Sequence, residues 1–252
     1  MSHARHAYLP AAGRDLLLPL YDPLTKLLGA HRARSKLFDQ ASVQPDHAIL
    51  DIGCGTGTFA VAIKRWLPSV HMVGLDPDPR ALARSQRKAI AAGVSIRFDQ
   101  GFADALPYAD ASFDRVFSSL MFHHLPQDAK LATLCEVRRV LKPGGSLHLL
   151  DFVEPGRHSH NPLARWLHAS ERMESNTQER ILGGMGEAGL LDPQPVAFDE
   201  RLFGRIVYYR ASAPAQRDSV SVTTGSRPDC STRTKSRSEA AEWRRRGRSA
   251  DT

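Results

Sequence analysis

The run Ile49-Leu50-Asp51-Ile52-Gly53-Cys54-Gly55-Thr56-Gly57 joins a short apolar segment to three glycines spaced two apart. The preceding residues, Ala48–Ile52, suit a parallel strand buried on both faces. Glycines where such a strand turns into a helix let the backbone bend tightly and approach a ligand without side chains in the way. The spacing predicts that helix over Thr58–Trp66, ended by Pro68. A second strand over Val70–Leu75 leads into Asp76, 19 residues after Gly57. A carboxylate at that point can accept hydrogen bonds from both hydroxyls of a ribose.

The same alternation continues downstream. A helix is expected over Pro79–Ala92, closed by Gly93, then strands over Ser95–Phe98 and Phe113–Ser119. Leu131, Leu134, Val137 and Leu141 form one stripe of a helix over Gln127–Leu141, which Pro143-Gly144-Gly145 terminates. Ser146–Phe152 reads as a fifth strand and Thr177–Ala188 as a further helix. Strand-like runs at Pro195–Phe198 and Phe203–Tyr209 are separated only by Asp199–Leu202. That link is too short for a helical crossover, so the two runs should be antiparallel. Strands alternating with helices imply an α/β fold, doubly wound, with a mainly parallel sheet finished by one hairpin.

Residues 1–44 are expected to form a helical segment ahead of the main domain at 45–211. Leu16, Leu17, Leu20, Leu24, Leu27 and Leu28 recur at helical spacing, with Pro19 and Pro23 breaking the run. Such a segment can pack beside the sheet or cap a substrate site. From residue 212 Arg, Ser and Thr dominate and aliphatic residues nearly vanish, which predicts a disordered basic tail over 212–252.

Residues 213–252 hold +4 of the net charge of +7. The excess therefore does not mark a basic groove in the folded part, and nucleic acid is not the expected partner. No apolar run approaches the roughly 20 residues of a membrane span, and no secretory signal is evident. Cys54, Cys135 and Cys230 match no metal or redox spacing, and their odd number argues against a disulfide framework. A reducing cytoplasm is the expected location, and no metal is expected. His158, His160 and His168 are too loosely spaced for ligation and read as surface residues.

Two cofactor classes fit a glycine turn followed by an acid. Gly55-Thr56-Gly57-Thr58-Phe59-Ala60 satisfies the G-x-G-x-x-A form of the dinucleotide fingerprint, which points to an NAD(P)-dependent oxidoreductase. Asp51 opposes that reading. A carboxylate just before the glycines would repel a pyrophosphate, whereas it suits the ammonium group of the methionine end of S-adenosylmethionine.

Four stretches together carry a resemblance: D-I-G-C-G-T-G at 51–57, V-G-L-D-P-D-P at 73–79, A-L-P-Y-A-D-A-S-F-D-R-V at 105–116 and V-R-R-V-L-K-P-G-G-S-L at 137–147. In order and spacing, residues 45–211 resemble the class I S-adenosylmethionine-dependent methyltransferases. The resemblance is to the branch with a type 11 methyltransferase domain, which includes the ubiquinone/menaquinone biosynthesis C-methyltransferases. It implies a Rossmann-like, seven-stranded sheet whose last strand is antiparallel. It also implies transfer of a methyl group from S-adenosylmethionine to a small organic acceptor; the alternative of a module that binds the cofactor without turnover rests on Phe102, where the chain departs from the family.

By the resemblance, Asp51 and the turn Gly53, Cys54, Gly55 and Gly57 hold the methionine portion, Asp76 holds the ribose and Pro77 packs on the adenine. Ser118 and Ser119 lie beneath the methionine end, a role that competes with ordinary strand-end hydrogen bonding. The family usually has G-D-A after the third strand, where this chain has Gly101-Phe102-Ala103. Phe102 cannot accept from the adenine amino group. It can stack on the ring while the Ala103 amide contacts a ring nitrogen, or Asp104 can replace the lost carboxylate. His123 and His124 follow the fourth strand, at the sheet edge where ligands bind. Either is a general base for a hydroxyl or amine acceptor, or a loop histidine bonded to backbone.

Overall fold

A computed structural model describes residues 30–153, 176–201 and 204–215. Helix α1 (Ala30–Asp39) precedes strand β1 (Ala48–Ile52), helix α2 (Thr58–Trp66), strand β2 (His71–Asp76), helix α3 (Pro79–Ala91) and strand β3 (Arg97–Gln100). Strand β4 (Phe113–Ser119) leads through a 3₁₀ turn (Phe122–His124) to helix α4 (Gln127–Val140) and strand β5 (Leu141–Val153). Helix α5 (Gln178–Glu187) and strands β6 (Leu191–Arg201) and β7 (Gly204–Ser212) complete it.

The strands form one seven-stranded sheet in the order β3-β2-β1-β4-β5-β7-β6. β1 to β5 pair in parallel, and β7 runs antiparallel to both β5 and β6. The final hairpin expected from the short Asp199–Leu202 link is therefore present, and β7 inserts between β5 and β6. The chain leaves β1 toward β2 and β3, then crosses back to β4 on the other side of β1. Such a reversal opens a crevice at the carboxyl ends of β1 and β4, the usual ligand position in an open α/β sheet.

Both sheet faces are buried, and consecutive strand residues serve opposite cores as a period of two requires. Leu50, Val116, Leu147 and Leu149 pack with Leu134, Val137 and Ile181 on the α4 and α5 side. Ile49, Phe117 and Leu150 pack with Phe59, Ile63, Ala33 and Leu37 on the α1 and α2 side. α1 is thus a packing helix through Ala33 and Leu37, one turn apart. The leucine run at 16–28, the histidines at 158–168 and tail residues 216–252 lie outside the described residues.

Several strands differ from their expected spans, and at β3, β5 and β6 the reasons are local. β3 starts two residues later than expected because its register follows β2, with Val73 opposite Arg97 and Asp76 opposite Gln100. β5 begins at Leu141, which pairs with Phe113. The register then shifts before Arg115 meets Ser146, and Gly144 sits at φ +74° in that interval. β6 runs through Pro193 and Pro195, with register irregularities flanking both. An edge strand tolerates the missing amide protons of proline. The composition change at 212 also falls slightly early: Ala213 is buried, and its amide donates to the Gly145 carbonyl at 2.8 Å.

Candidate active site

The glycine turn is tied to the end of β2. The Gly53 and Cys54 amides donate to the Leu75 carbonyl at 2.8 and 3.0 Å. The Gly55 amide donates to Asp76 Oδ2 at 2.8 Å, and the Asp78 amide donates to Asp76 Oδ1 at 2.9 Å. Gly53, Gly55 and Gly57 all have positive φ, at +69°, +55° and +72°. Their surroundings differ. A Cβ on Gly53 would lie 2.3 Å from Met121 Cγ, and one on Gly57 would lie 2.5 Å from Ser85 Cβ. A Cβ on Gly55 meets nothing within 4 Å. Gly53 and Gly57 are thus required by packing, while Gly55 borders free space where a ligand can approach the backbone.

Asp51 is the penultimate residue of β1 and is 1% exposed, and its Oδ2 has no hydrogen-bond partner. Burial pushes its carboxyl up to about 7, partly countered by the positive charge of Arg34. An isolated buried carboxylate is costly unless a cation or donor meets it. Across the switch point Asp51 pairs in register with Phe117 and the next residue, Ile52, with Ser118; the Ser118 hydroxyl is also buried and unpartnered. Ser119 differs, since its Oγ accepts from Arg34 Nε at 3.1 Å.

Asp76 is expected to hold a ribose through both oxygens. Each oxygen already accepts a backbone amide, which leaves one lone-pair direction on each for a ligand. Burial raises this carboxyl above its ordinary value and the two amides pull it back down. The Cys54 thiol does not face the turn's open side. It lies where a Cβ on Gly74 would be 2.9 Å away, and burial pushes it well above the ordinary thiol range. Only the Cys54 backbone can serve a ligand.

Past β3, the Gly101 amide donates to the Asp76 carbonyl at 3.2 Å, which holds Phe102 near the end of β2. The Phe102 side chain is 48% exposed, whereas Ala103 is buried in the core. Pro77 is half-buried, and its carbonyl accepts from Gln100 Nε2 at 3.0 Å.

The 3₁₀ turn after β4 presents an arrangement only half visible in the sequence. His123 Nδ1 is paired with Asp151 Oδ1, and the His123 amide donates to Asp151 Oδ2 at 2.7 Å. Asp151 lies at the carboxyl end of β5, fully buried, and also accepts the Phe152 amide at 2.7 Å. With Nδ1 turned to a carboxylate, the imidazole tautomer leaves Nε2 as the acceptor. His124 lies against the His123 ring, with centroids 4.0 Å apart. His123 is therefore the member of the pair that a carboxylate is shown to orient. Sequence reasoning missed Asp151, although β1, β2 and β5 each carry an aspartate at their carboxyl ends. Behind Phe122, a cavity of about 600 Å³ opens between α4 and α5, bounded by Lys130, Leu131, Leu134, Arg180 and Ile181.

Residues 49–145 match the family model described as a methyltransferase domain. The chain is 39% identical over 142 residues to a demethylmenaquinone methyltransferase of Deinococcus radiodurans, covering 55% of this chain and 58% of that protein. The chain thus spans less than two thirds of that curated relative. Among solved structures, a SAM-dependent methyltransferase from Aquifex aeolicus superposes with a TM-score of 0.57 at 17% identity, over 71% of this chain and 88% of that one. The [4+2]-cyclase SpnF superposes with a TM-score of 0.61 at 20% identity, over 73% and 80%. At such identities the structures establish the fold, and a cyclase among them shows that the fold does not fix the reaction. The family match favours the methyltransferase over the oxidoreductase reading.

Proposed function

We propose that this chain, whose residues 49–145 match a methyltransferase domain, is an S-adenosylmethionine-dependent enzyme that transfers a methyl group to a small organic acceptor whose proton is taken by His123. The observation that carries the reading is the buried Asp51 carboxylate with an unpartnered oxygen beside a glycine turn. It fits the ammonium of S-adenosylmethionine and repels a pyrophosphate. The free space at Gly55, the remaining lone pairs of Asp76 and the exposed Phe102 ring fit the rest of that molecule.

When bound, the cofactor supplies a methyl group on a sulfonium, already activated toward a nucleophile. The residues therefore have to hold, align and deprotonate. Asp51 would anchor the amino-acid end, Asp76 the ribose, and Phe102 would hold the adenine in place of the family's carboxylate. Asp151 fixes the His123 ring, so that Nε2 would receive the acceptor's hydroxyl or amine proton as that oxygen or nitrogen, or a ring carbon conjugated to it, takes the methyl group. The 600 Å³ cavity behind Phe122 has the size of a small-molecule pocket and a largely apolar wall. Demethylmenaquinone, named for the Deinococcus relative, supplies the first acceptor class to test: a quinone precursor.

Calorimetry with S-adenosylmethionine and NADH, followed by a metabolite panel scored by S-adenosylhomocysteine release, tests the reading. Binding of the first but not the second, with turnover on a phenolic, hydroxyl or amine acceptor, is expected. Binding without turnover on any acceptor would make the chain a cofactor-binding module. Asp151→Asn should lower kcat on a protonated acceptor by about 10²-fold or more, the range for general-base assistance, with cofactor affinity unchanged. An unaltered kcat would remove the dyad from the mechanism.

A further inference from the structure

We propose that the cavity between α4 and α5 takes an organic acid as the methyl acceptor, its carboxylate held by Lys130 and Arg180 and its apolar body lying along Leu131, Leu134 and Ile181. The ligand's role as acceptor rests on the S-adenosylmethionine reading; its negative charge does not.

Lys130 stands near the start of α4 and is only 5% exposed. Its Nζ donates to Asn176 Oδ1 at 3.0 Å and lies 5.8 Å from the centroid of the Phe122 ring, which also borders the cavity. Burying an ammonium costs free energy that an anion brought against it recovers. The surroundings disfavour this charge on balance: burial pushes the ammonium down to about 8, Asp151 opposes that shift and Arg180 adds to it. Asp151 is already engaged, since it accepts the His123 and Phe152 amides and faces the His123 ring.

Arg180 supplies the second cation. Its backbone amide donates to Thr177 Oγ1 at 3.3 Å, which fixes it in the first turn of α5. Its guanidinium makes no hydrogen bond or ion pair among the described residues, and its planar fork matches a carboxylate. Two acids, Asp128 and Glu187, also border the cavity. Asp128 Oδ1 accepts the Ala129 amide at 3.0 Å, and Glu187 is the last residue of α5, at the end opposite Arg180. The charges that act on Lys130 are those of Asp151 and Arg180.

A separate observation marks the cavity as kept open. Gly183 and Gly184 lie in the middle of α5, where glycine weakens a helix, and both border the cavity. A Cβ on Gly184 would come within 3.2 Å of Leu134 Cδ1, so that glycine lets α4 and α5 approach. A Cβ on Gly183 would meet none of the described residues within 4 Å. Packing therefore does not call for glycine at 183, and what its missing side chain preserves is space. Phe122 borders that space and His123 follows it, so an acid seated on Lys130 can turn a hydroxyl or amine toward Nε2. A neutral quinone precursor would bring no anion to the two cations.

The test measures binding of 6-hydroxy-2-naphthoate and of its neutral methyl ester through naphthalene fluorescence. The proteins are wild type, Lys130→Met, Arg180→Met and Gly183→Leu, with circular dichroism to verify each fold. Wild type should bind the acid about tenfold to a hundredfold more tightly than the ester, the scale of charge-assisted hydrogen bonds. Lys130→Met and Arg180→Met should each cut that ratio by about threefold or more, with ester affinity within about twofold of wild type. Arg180→Met changes an exposed residue, so it decides the matter if Lys130→Met fails to fold. Gly183→Leu fills the open space and should abolish binding of both ligands, with S-adenosylhomocysteine affinity by calorimetry within about twofold of wild type. Equal affinity for acid and ester in wild type, or a ratio that neither cation variant alters, overturns the proposal. Acid binding that survives Gly183→Leu overturns it too, since the acid then sits elsewhere. A wild type that holds the acid but not S-adenosylhomocysteine is a distinct failure: it refutes the ligand's role as acceptor and supports the cavity's preference for an anion.

Discussion

Asp51→Asn should make the ligand-free protein more stable, and increasingly so as pH rises. Burial lifts the Asp51 carboxyl from its ordinary 3.8 to about 7. A carboxyl whose pKa is higher in the folded than in the unfolded chain binds protons more tightly when folded. It costs nothing below pH 3.8. The cost grows as pH rises toward 7 and then levels off at roughly 4 kcal/mol, the free energy equivalent of that difference. Between pH 5 and pH 8 the advantage of Asp51→Asn over wild type should widen by about 2–3 kcal/mol. The neighbours acting on Asp51 are Arg34, which lowers its pKa, and Asp76, which raises it. Both remain in the variant. The assay is urea unfolding of both proteins at half-unit pH steps without cofactor. A gap between the two that stays flat from pH 5 to pH 8 would refute the argument, because it would mean that the carboxylate is already compensated. The same variant should lose S-adenosylmethionine binding, which separates a functional cost from a structural one.

Gly55→Ala should unfold only about 1 kcal/mol more easily, from its positive φ, yet lose most cofactor affinity; the measurements are thermal unfolding and calorimetry. Gly53→Ala should instead lose stability by several kcal/mol, because its Cβ meets Met121 as well as the φ penalty. Phe102→Ala should weaken S-adenosylhomocysteine binding by about 1–3 kcal/mol, the range for stacking on a base, while an analogue lacking the adenine amino group binds wild type nearly as well as the parent. Marked discrimination for that amino group, abolished by Asp104→Ala, would assign the contact to Asp104. His148 is buried beside Ser146 and Gln40 and is pushed down to about 3 by burial, with Arg115 and Arg210 adding to the effect. Its unfolded form takes up a proton below about 6.5, so acid removes stability: from pH 7 to pH 5 wild type should lose about 2 kcal/mol relative to His148→Gln in paired urea titrations.

The sheet was legible because its physics is local. Apolar runs of strand length, glycine-closed helices and one link too short for a crossover together defined the order and direction of its elements. The glycine turn, Asp51 and Asp76 were legible for the same reason, since each sits at a strand end fixed by the preceding run. What escaped depends on contacts far apart in the chain. Asp151 meets His123 across 28 residues, and Arg34 meets Ser119 across 85, with nothing local to mark either pairing. The spans of β3 and β6 were misjudged because register against a neighbour set β3, and edge position let β6 pass through two prolines. The contrast between Gly55 and its two companions also needed three dimensions. All three look alike in sequence, and only the surroundings tell packing from access.

The insertion of β7 between β5 and β6 has a consequence for how the chain is made. β5 is an inner strand only once Arg205–Ser212 has paired along Ser146–Val153. On the ribosome, strands β1 to β4 can assemble long before that partner exists. Throughout that interval the far edge of β5 presents an unbroken row of backbone donors and acceptors over an apolar stretch. Such an edge is a template for another chain. A nascent polypeptide stalled before residue 204 is accordingly the species most exposed to misassembly, and chaperone protection should end when the last hairpin emerges.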